Sequence, residues 1–219
     1  MPDAAVAALP HLDAAALGPM IPPEKTALIV VDIQIDFASP TGLLGRHGVD
    51  MSVAEPALDN IERLIAAARR AGAQVAFMRV VTRPETDSNA LKALYARRGM
   101  PGGQGICRID DGGADYYRVK PEPGDIEIEK LMFDSFHGTD LDEQLRARGI
   151  ETLVITGIST DCCVDSTARA AFHRDYHVFV VSDACAAFGD DLHYGALNAL
   201  QKNVGFLVTS DAVAEAWAK

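Results

Sequence analysis

No stretch of this 219-residue chain stays apolar long enough to cross a bilayer, because charged residues interrupt every apolar run. Basic residues are scarce: 20 Lys and Arg stand against 31 Asp and Glu, a net charge of −11. A phosphate backbone is repelled by that field, which argues against nucleic acid as a partner. The four cysteines, at 107, 162, 163 and 185, form no CxxC pair and no spaced framework. They read as free thiols of a reducing cytosol rather than as disulfides or a zinc site. Residues 1–24 are rich in Ala and Pro but lack the positive start and continuous apolar core of a secretory signal. At 48% hydrophobic and 23% charged residues, the chain is too apolar for disorder and long enough for one full core. The expectation is an acidic, cytoplasmic, single-domain protein with no membrane or nucleic-acid partner.

What is present is alternation. ALIVV at 27–31, QVAFMRVV at 74–81, DIEIE at 125–129, TLVIT at 152–156, HVFVV at 177–181 and a short run at 206–208 read as strands. Between them Leu58, Ile61, Leu64, Ile65 and Ala68 recur at helical spacing, and Gly72 closes that helix. Further helices are predicted over 88–97, 140–148, 160–173 and 192–202. Strands alternating with helices imply βαβ units. The predicted fold is an α/β domain, a three-layer αβα arrangement around a doubly wound, mostly parallel six-stranded sheet. The domain is predicted to span 25–219. Residues 1–24 read as a loosely held arm, free to dock on a neighbouring subunit.

Ligands of open parallel sheets bind beyond the carboxyl ends of the strands. Asp32 stands directly after the first apolar run and Lys130 after DIEIE. Gly157-Ile158-Ser159-Thr160-Asp161-Cys162-Cys163 follows TLVIT and leads into a helix. A carboxylate, an ammonium and a thiol therefore converge on one sheet edge. Each also has a plain reading. A free cysteine is commonly a small buried hydrophobe, Asp32 can be one half of a buried ion pair, and Lys130 can be a surface residue at a strand end. A thiol at a helix N-terminus, however, gains from the dipole and from the open backbone N–H groups there. The three together carry a catalytic reading that none carries alone.

VVDIQIDF at 30–37, EKLMFDSF at 129–136 and TGISTDCCVDSTARAA at 156–171 resemble, in this order, the isochorismatase-like cysteine hydrolases. The resemblance spans about residues 26–210. It implies an Asp32–Lys130–Cys163 triad with Cys163, not Cys162, as nucleophile. It also implies a cis peptide between Ile158 and Ser159, an oxyanion hole from the backbone N–H groups of Ser159 and Cys163, and a homodimer or homotetramer. Candidate substrate contacts lie in or next to the motifs: Gln34, Phe37, Phe136, His137 and Thr160. Family members that cleave isochorismate lack the thiol, so Cys163 implies acyl transfer to sulfur and an amide-type substrate. The family's nicotinamidases carry a metal with an Asp-x-His element after the second strand; here MRVVTRPETDSNALK contains no histidine. The resemblance therefore implies no metal and no cofactor. It points to the branch hydrolysing small linear amides, carbamoyl compounds and ureides, with release of ammonia or carbamate. FHGTDLDEQLRARGI at 136–150 leans toward the ureide members. The net charge does not exclude an anionic substrate, since Lys130 and a helix N-terminus supply a local positive field.

Other features compete less well. Gly157-Ile158-Ser159 starts like a serine-hydrolase elbow, but Asp161 occupies the position where GxSxG needs glycine. His173 and His177 have a zinc-like spacing without a nearby third ligand. The glycines between 99 and 113 form neither GxGxxG nor a P-loop; they suit a flexible surface loop or a lid over the site. A nucleotide-binding α/β domain, a nicotinamidase-like enzyme and a non-catalytic redox-sensing relative remain the rival readings.

Overall fold

The computed structural model describes residues 9–218. Six strands form one sheet in the order β3-β2-β1-β4-β5-β6: β1 Thr26–Val31, β2 Gln74–Val80, β3 Ile126–Lys130, β4 Thr152–Ile158, β5 His177–Ala186 and β6 Phe206–Val208. Every pairing is parallel, so the sheet is wholly rather than mostly parallel. The helices are α1 Ala14–Leu17, α2 Ile35–Ala38, α3 Leu43–Arg46, α4 Glu55–Ala71, α5 Asn89–Arg97, α6 Leu141–Ala147, α7 Asp165–Phe172, α8 Asp190–Asn203 and α9 Ser210–Ala216. Among the described residues no helix is long and apolar enough to cross a membrane.

Strand alternation divides the core into two layers. Leu28 and Val30 of β1 face one side, with Leu58, Ile61, Leu64 and Ile65 of α4. Ala27, Ile29 and Val31 face the other, with Leu141 and Leu145 of α6, Ala168 of α7 and Leu197 of α8. Central strands are buried on both faces, which is why they read as unbroken apolar runs. The edge strand β3 differs: Ile126, Ile128 and Lys130 are buried while Glu127 and Glu129 are exposed. The DIEIEK alternation thus carries Lys130 to the inner face. Gly72, at φ 80°, ends α4 in the left-handed conformation that glycine adopts without strain.

The proposed N-terminal arm differs from expectation. Residues 1–8 lie outside the described residues, but the segment from Leu12 onward packs on its own chain rather than hanging free. Asp13 caps α1, Leu17 and Ile21 are fully buried, Leu12 pairs with Val208, and Trp217 Nε1 donates to Ile21 O at 3.0 Å. Two anchors in an Ala/Pro-rich background make no periodic pattern, yet each buried side chain contributes about 1.5–3 kcal/mol. Smaller differences concern boundaries. Lys130 is the last residue of β3 rather than its successor, β5 runs on to Ala186, and the predicted 160–173 helix begins as a π-helical turn over Thr160–Val164. His173 and His177 are both exposed, and among the described residues no three His, Cys, Asp or Glu side chains gather into a cluster that could hold a metal ion.

Candidate active site

The strand order reverses between β1 and β4, so the crevice of this sheet opens where those strands end. Asp32 leaves β1 in the left-handed region, at φ 55°, which turns the chain off the sheet. The gap this leaves beside β2 is filled by a side chain. Gln34 Nε2 donates to Val80 O at 2.7 Å and Ala114 O at 2.9 Å, and its Oε1 accepts from Val80 N at 2.7 Å. Gln34 thus continues the ladder with its amide and has no group left for substrate, contrary to its expected role.

On the β4 side, Gly157 pairs with Val31 at φ 132°. A Cβ there would lie 2.2 Å from Val31 O. Gly157→Ala is therefore expected to cost about 2–3 kcal/mol through strain and strand separation. A lowered urea midpoint checks this, and an unchanged midpoint would contradict it. The Ile158–Ser159 peptide bond is cis. The π-helical turn follows and presents Cys162 and Cys163 to the crevice; such turns occur frequently at functional sites.

Asp32 and Lys130 form an ion pair with both side chains 0% exposed, Lys130 Nζ to Asp32 Oδ2 at 2.7 Å. Lys130 also donates to Met132 O and Phe133 O, each at 3.1 Å, which commits all three of its N–H groups. The other carboxylate oxygen, Asp32 Oδ1, is buried without a hydrogen-bond partner, and the Cys163 thiol is the neighbouring proton donor. Burial pushes the Asp32 carboxyl above its ordinary range, against the pull of Lys130. Burial works against the Lys130 ammonium, but Asp32 and Cys163 together more than offset it and the pKa is raised.

The thiol departs from the sequence expectation. Its hydrogen bond with Cys162, its burial and the adjacent Asp32 charge hold Cys163 well above the usual thiol range. The helix dipole does not prevail, because a gain of about 1–2 kcal/mol is smaller than the desolvation of a buried thiolate beside a carboxylate. These influences favour the neutral S–H of Cys163. Cys162 is shifted the other way, mainly by the hydrogen bond with Cys163. The local positive field expected from Lys130 is likewise neutralised by Asp32.

A cavity of about 230 Å³ opens onto both cysteines and Ser159. Phe37 lines it as expected, while Phe136 does not. Phe136 is buried in the core, 6.0 Å from the Tyr176 ring and under the Arg174 guanidinium. His137 is exposed and lies off the cavity. Thr160 is buried and bonded to His193 Nδ1 at 2.8 Å, so it braces the nucleophile turn from behind. Ser159 Oγ donates to Asp161 Oδ1 at 2.7 Å, which occupies the hydroxyl. The walls that the sequence did not disclose come from Leu44, Leu91, Tyr95 and Phe188, apolar or aromatic residues with no motif around them, and from Phe133 within the second motif.

The glycine-rich segment is a built cover, not a free surface loop. Gln104 and Ile106 line the cavity, Cys107 is fully buried, and Cys107 N donates to Asp36 Oδ2 at 2.8 Å. Gly113 fits because a Cβ would meet Asp36 Oδ2 at 2.2 Å. Cys185 is buried and its thiol pushed up to about 12 by desolvation; Cys107 is raised too, so neither is poised to react.

The chain is 40% identical over 201 residues to the ureidoacrylate amidohydrolase RutB of Methylobacterium radiotolerans, covering 84% of this chain and 76% of that protein. A cysteine hydrolase of Pseudomonas syringae pv. phaseolicola superposes with a TM-score of 0.81 at 31% identity, covering 90% of this chain and 94% of that one. The N-carbamoylsarcosine amidase of Thermoplasma acidophilum does so with a TM-score of 0.67 at 29% identity, covering 85% and 97%. The isochorismatase domain model matches residues 26–212, from the first residue of β1 into α9. With that much of the chain matched, and with an acid, a lysine and a thiol at the sheet's switch point, the protein belongs to the isochorismatase family.

Proposed function

We propose that this protein is a cysteine-dependent amidohydrolase that cleaves the C–N bond of a small linear amide, carbamoyl or ureide compound. The observation that carries it is the buried Asp32–Lys130 pair beside a cavity-facing Cys163. The names of the similar proteins, a ureidoacrylate amidohydrolase and an N-carbamoylsarcosine amidase, point to the same bond.

Attack begins with transfer of the Cys163 proton to Asp32 as sulfur bonds to the substrate carbonyl carbon. The raised carboxyl favours this, since a better-matched base takes a thiol proton more readily. Lys130 holds the carboxylate in place and steadies the charge. The backbone N–H groups of Ser159 and Cys163 bind the oxyanion. Asp32 then returns its proton to the leaving nitrogen, the C–N bond breaks, and ammonia or an amine departs from an acyl-thioenzyme. Water attacks the thioester, giving one proton to Asp32; the C–S bond breaks and Cys163 recovers that proton. No step calls on a cofactor. The reading carries with it a cytoplasmic homodimer or homotetramer. Exposed Met20, Phe172 and Phe206 around a groove at the opposite end of the sheet support an assembly of this kind.

Ammonia release from a panel of small amides and ureides tests the activity; a protein that is folded and inert on all of them counts against it. A pH profile tests the base. Because Asp32 is raised above 3.8, kcat/KM is expected to fall with acid at a midpoint above that value, as protonation removes the acceptor. Full activity down to the ordinary carboxylate range would exclude Asp32 as the base.

A further inference from the structure

The cavity has an unexpected character for a family that includes hydrolases of ureido acids. Its polar side chains are Thr82, Tyr95, Gln104, Ser159 and the cysteines. Among the described residues that line it there is no Lys, Arg, His, Asp or Glu. Apolar groups dominate, with Phe37, Leu44, Leu91, Leu131, Phe133 and Phe188 on its walls.

Two of the cations near those walls are tightly paired. Lys130 is fully buried and directs its three N–H groups to Asp32 Oδ2, Met132 O and Phe133 O. Arg108, next to the cover, forks onto Asp87 with contacts of 2.5 and 2.6 Å. Asp87 is held low chiefly by that guanidinium, with smaller contributions from Gln104 and Lys92, so the pair is ionic. A substrate carboxylate entering this space would lose its water and meet no cation on the cavity lining, which is costly in a low-dielectric site. The oxyanion hole supplies no remedy, because it is taken by the charge that develops on the carbonyl oxygen.

Size points the same way. An apolar cavity of about 150 Å³ takes up benzene, so the 230 Å³ available here admits a carboxamide together with a compact apolar substituent. Tyr95, kept as a neutral phenol by burial, and Gln104 can orient an uncharged amide without attracting an anion.

Building on the amidohydrolase reading, we infer that the substrate is an uncharged carboxamide or substituted urea whose substituent is apolar, and that the site discriminates against ureido acids and other carboxylate-bearing amides. Matched pairs that exchange a terminal methyl for a carboxylate test this at neutral pH: propylurea against 3-ureidopropionate, and butyramide against succinamate. The neutral member of each pair is expected to release ammonia with a kcat/KM at least about 100-fold higher. Equal rates, or faster turnover of the acids, would overturn the inference.

A second measurement separates this inference from the hydrolase reading beneath it. In Cys163→Ala protein, which cannot form the thioester, calorimetric binding should favour the neutral member of each pair by at least about 10-fold. That preference without turnover of any compound by the parent protein would reject the hydrolase and leave the cavity's selectivity standing. Equal or reversed binding would reject the selectivity whether or not ammonia is released.

Discussion

Cys163→Ser protein is expected to lose ammonia release by about 10⁴-fold or more while remaining folded. The exchange keeps a small side chain with one proton at a buried position, so packing changes little. Chemistry changes a great deal. Asp32, though raised by burial, remains far weaker as a base than an alkoxide, and cannot take an alcohol proton as it takes that of a thiol. The neighbouring cysteine makes the comparison informative. Cys162 also lines the cavity, and of the two thiols it is the one shifted toward ionisation. Acidity alone would select Cys162; position selects Cys163, the thiol that lies next to the Asp32 carboxylate and lowers its pKa. Cys162→Ser should therefore retain activity within about 10-fold of the parent, since it removes only a neighbour of the nucleophile. Mass spectrometry of the trapped intermediate should place the acyl group on residue 163. An inactive Cys162→Ser protein beside an active Cys163→Ser protein would reverse the assignment.

The positions of these groups were readable in the sequence for a physical reason. In a sheet covered on both faces, strands are apolar to their last residue, so the first polar side chain after each run marks the sheet edge where ligands bind. Asp32 stands out in that way, Lys130 stands out by the alternation of β3, and Cys163 stands out by the turn that follows β4. The substrate contacts were far less legible. Gln34, Phe136 and Thr160 lie within the motifs, yet local structure consumes each of them. Gln34 bridges β1 to β2, Phe136 fills the core against Tyr176, and Thr160 bonds His193. The true walls are contributed by α3, α5 and the segments after β3 and β5. Leu44, Leu91 and Phe188 have the composition of core residues, and only tertiary packing decides that they face a cavity. The anchoring of Leu17 and Ile21 was hidden for the same reason, because a short segment with two buried side chains carries no detectable period.

Lys130→Met should lower stability by about 3–5 kcal/mol, as expected when one partner of a buried ion pair is removed. Both side chains are wholly excluded from solvent, so Asp32 would be left either as an unpaired anion or as a protonated acid without the partner its site was shaped around. The ammonium has a second duty that an apolar side chain cannot assume: the Met132 and Phe133 carbonyls would lose their donor at the turn leaving β3. Two contributions are thus superimposed, and a double variant separates them. Asp32→Asn combined with Lys130→Met removes the uncompensated charge but not the two orphaned carbonyls. It should recover part of the loss and leave a deficit of about 1–3 kcal/mol for an unsatisfied buried polar group. Urea midpoints and slopes at neutral pH for the two single variants and the double give the cycle directly. A Lys130→Met protein as stable as the parent would mean that Asp32 is not held as a carboxylate by this lysine, and the base of the proposed mechanism would lose its anchor.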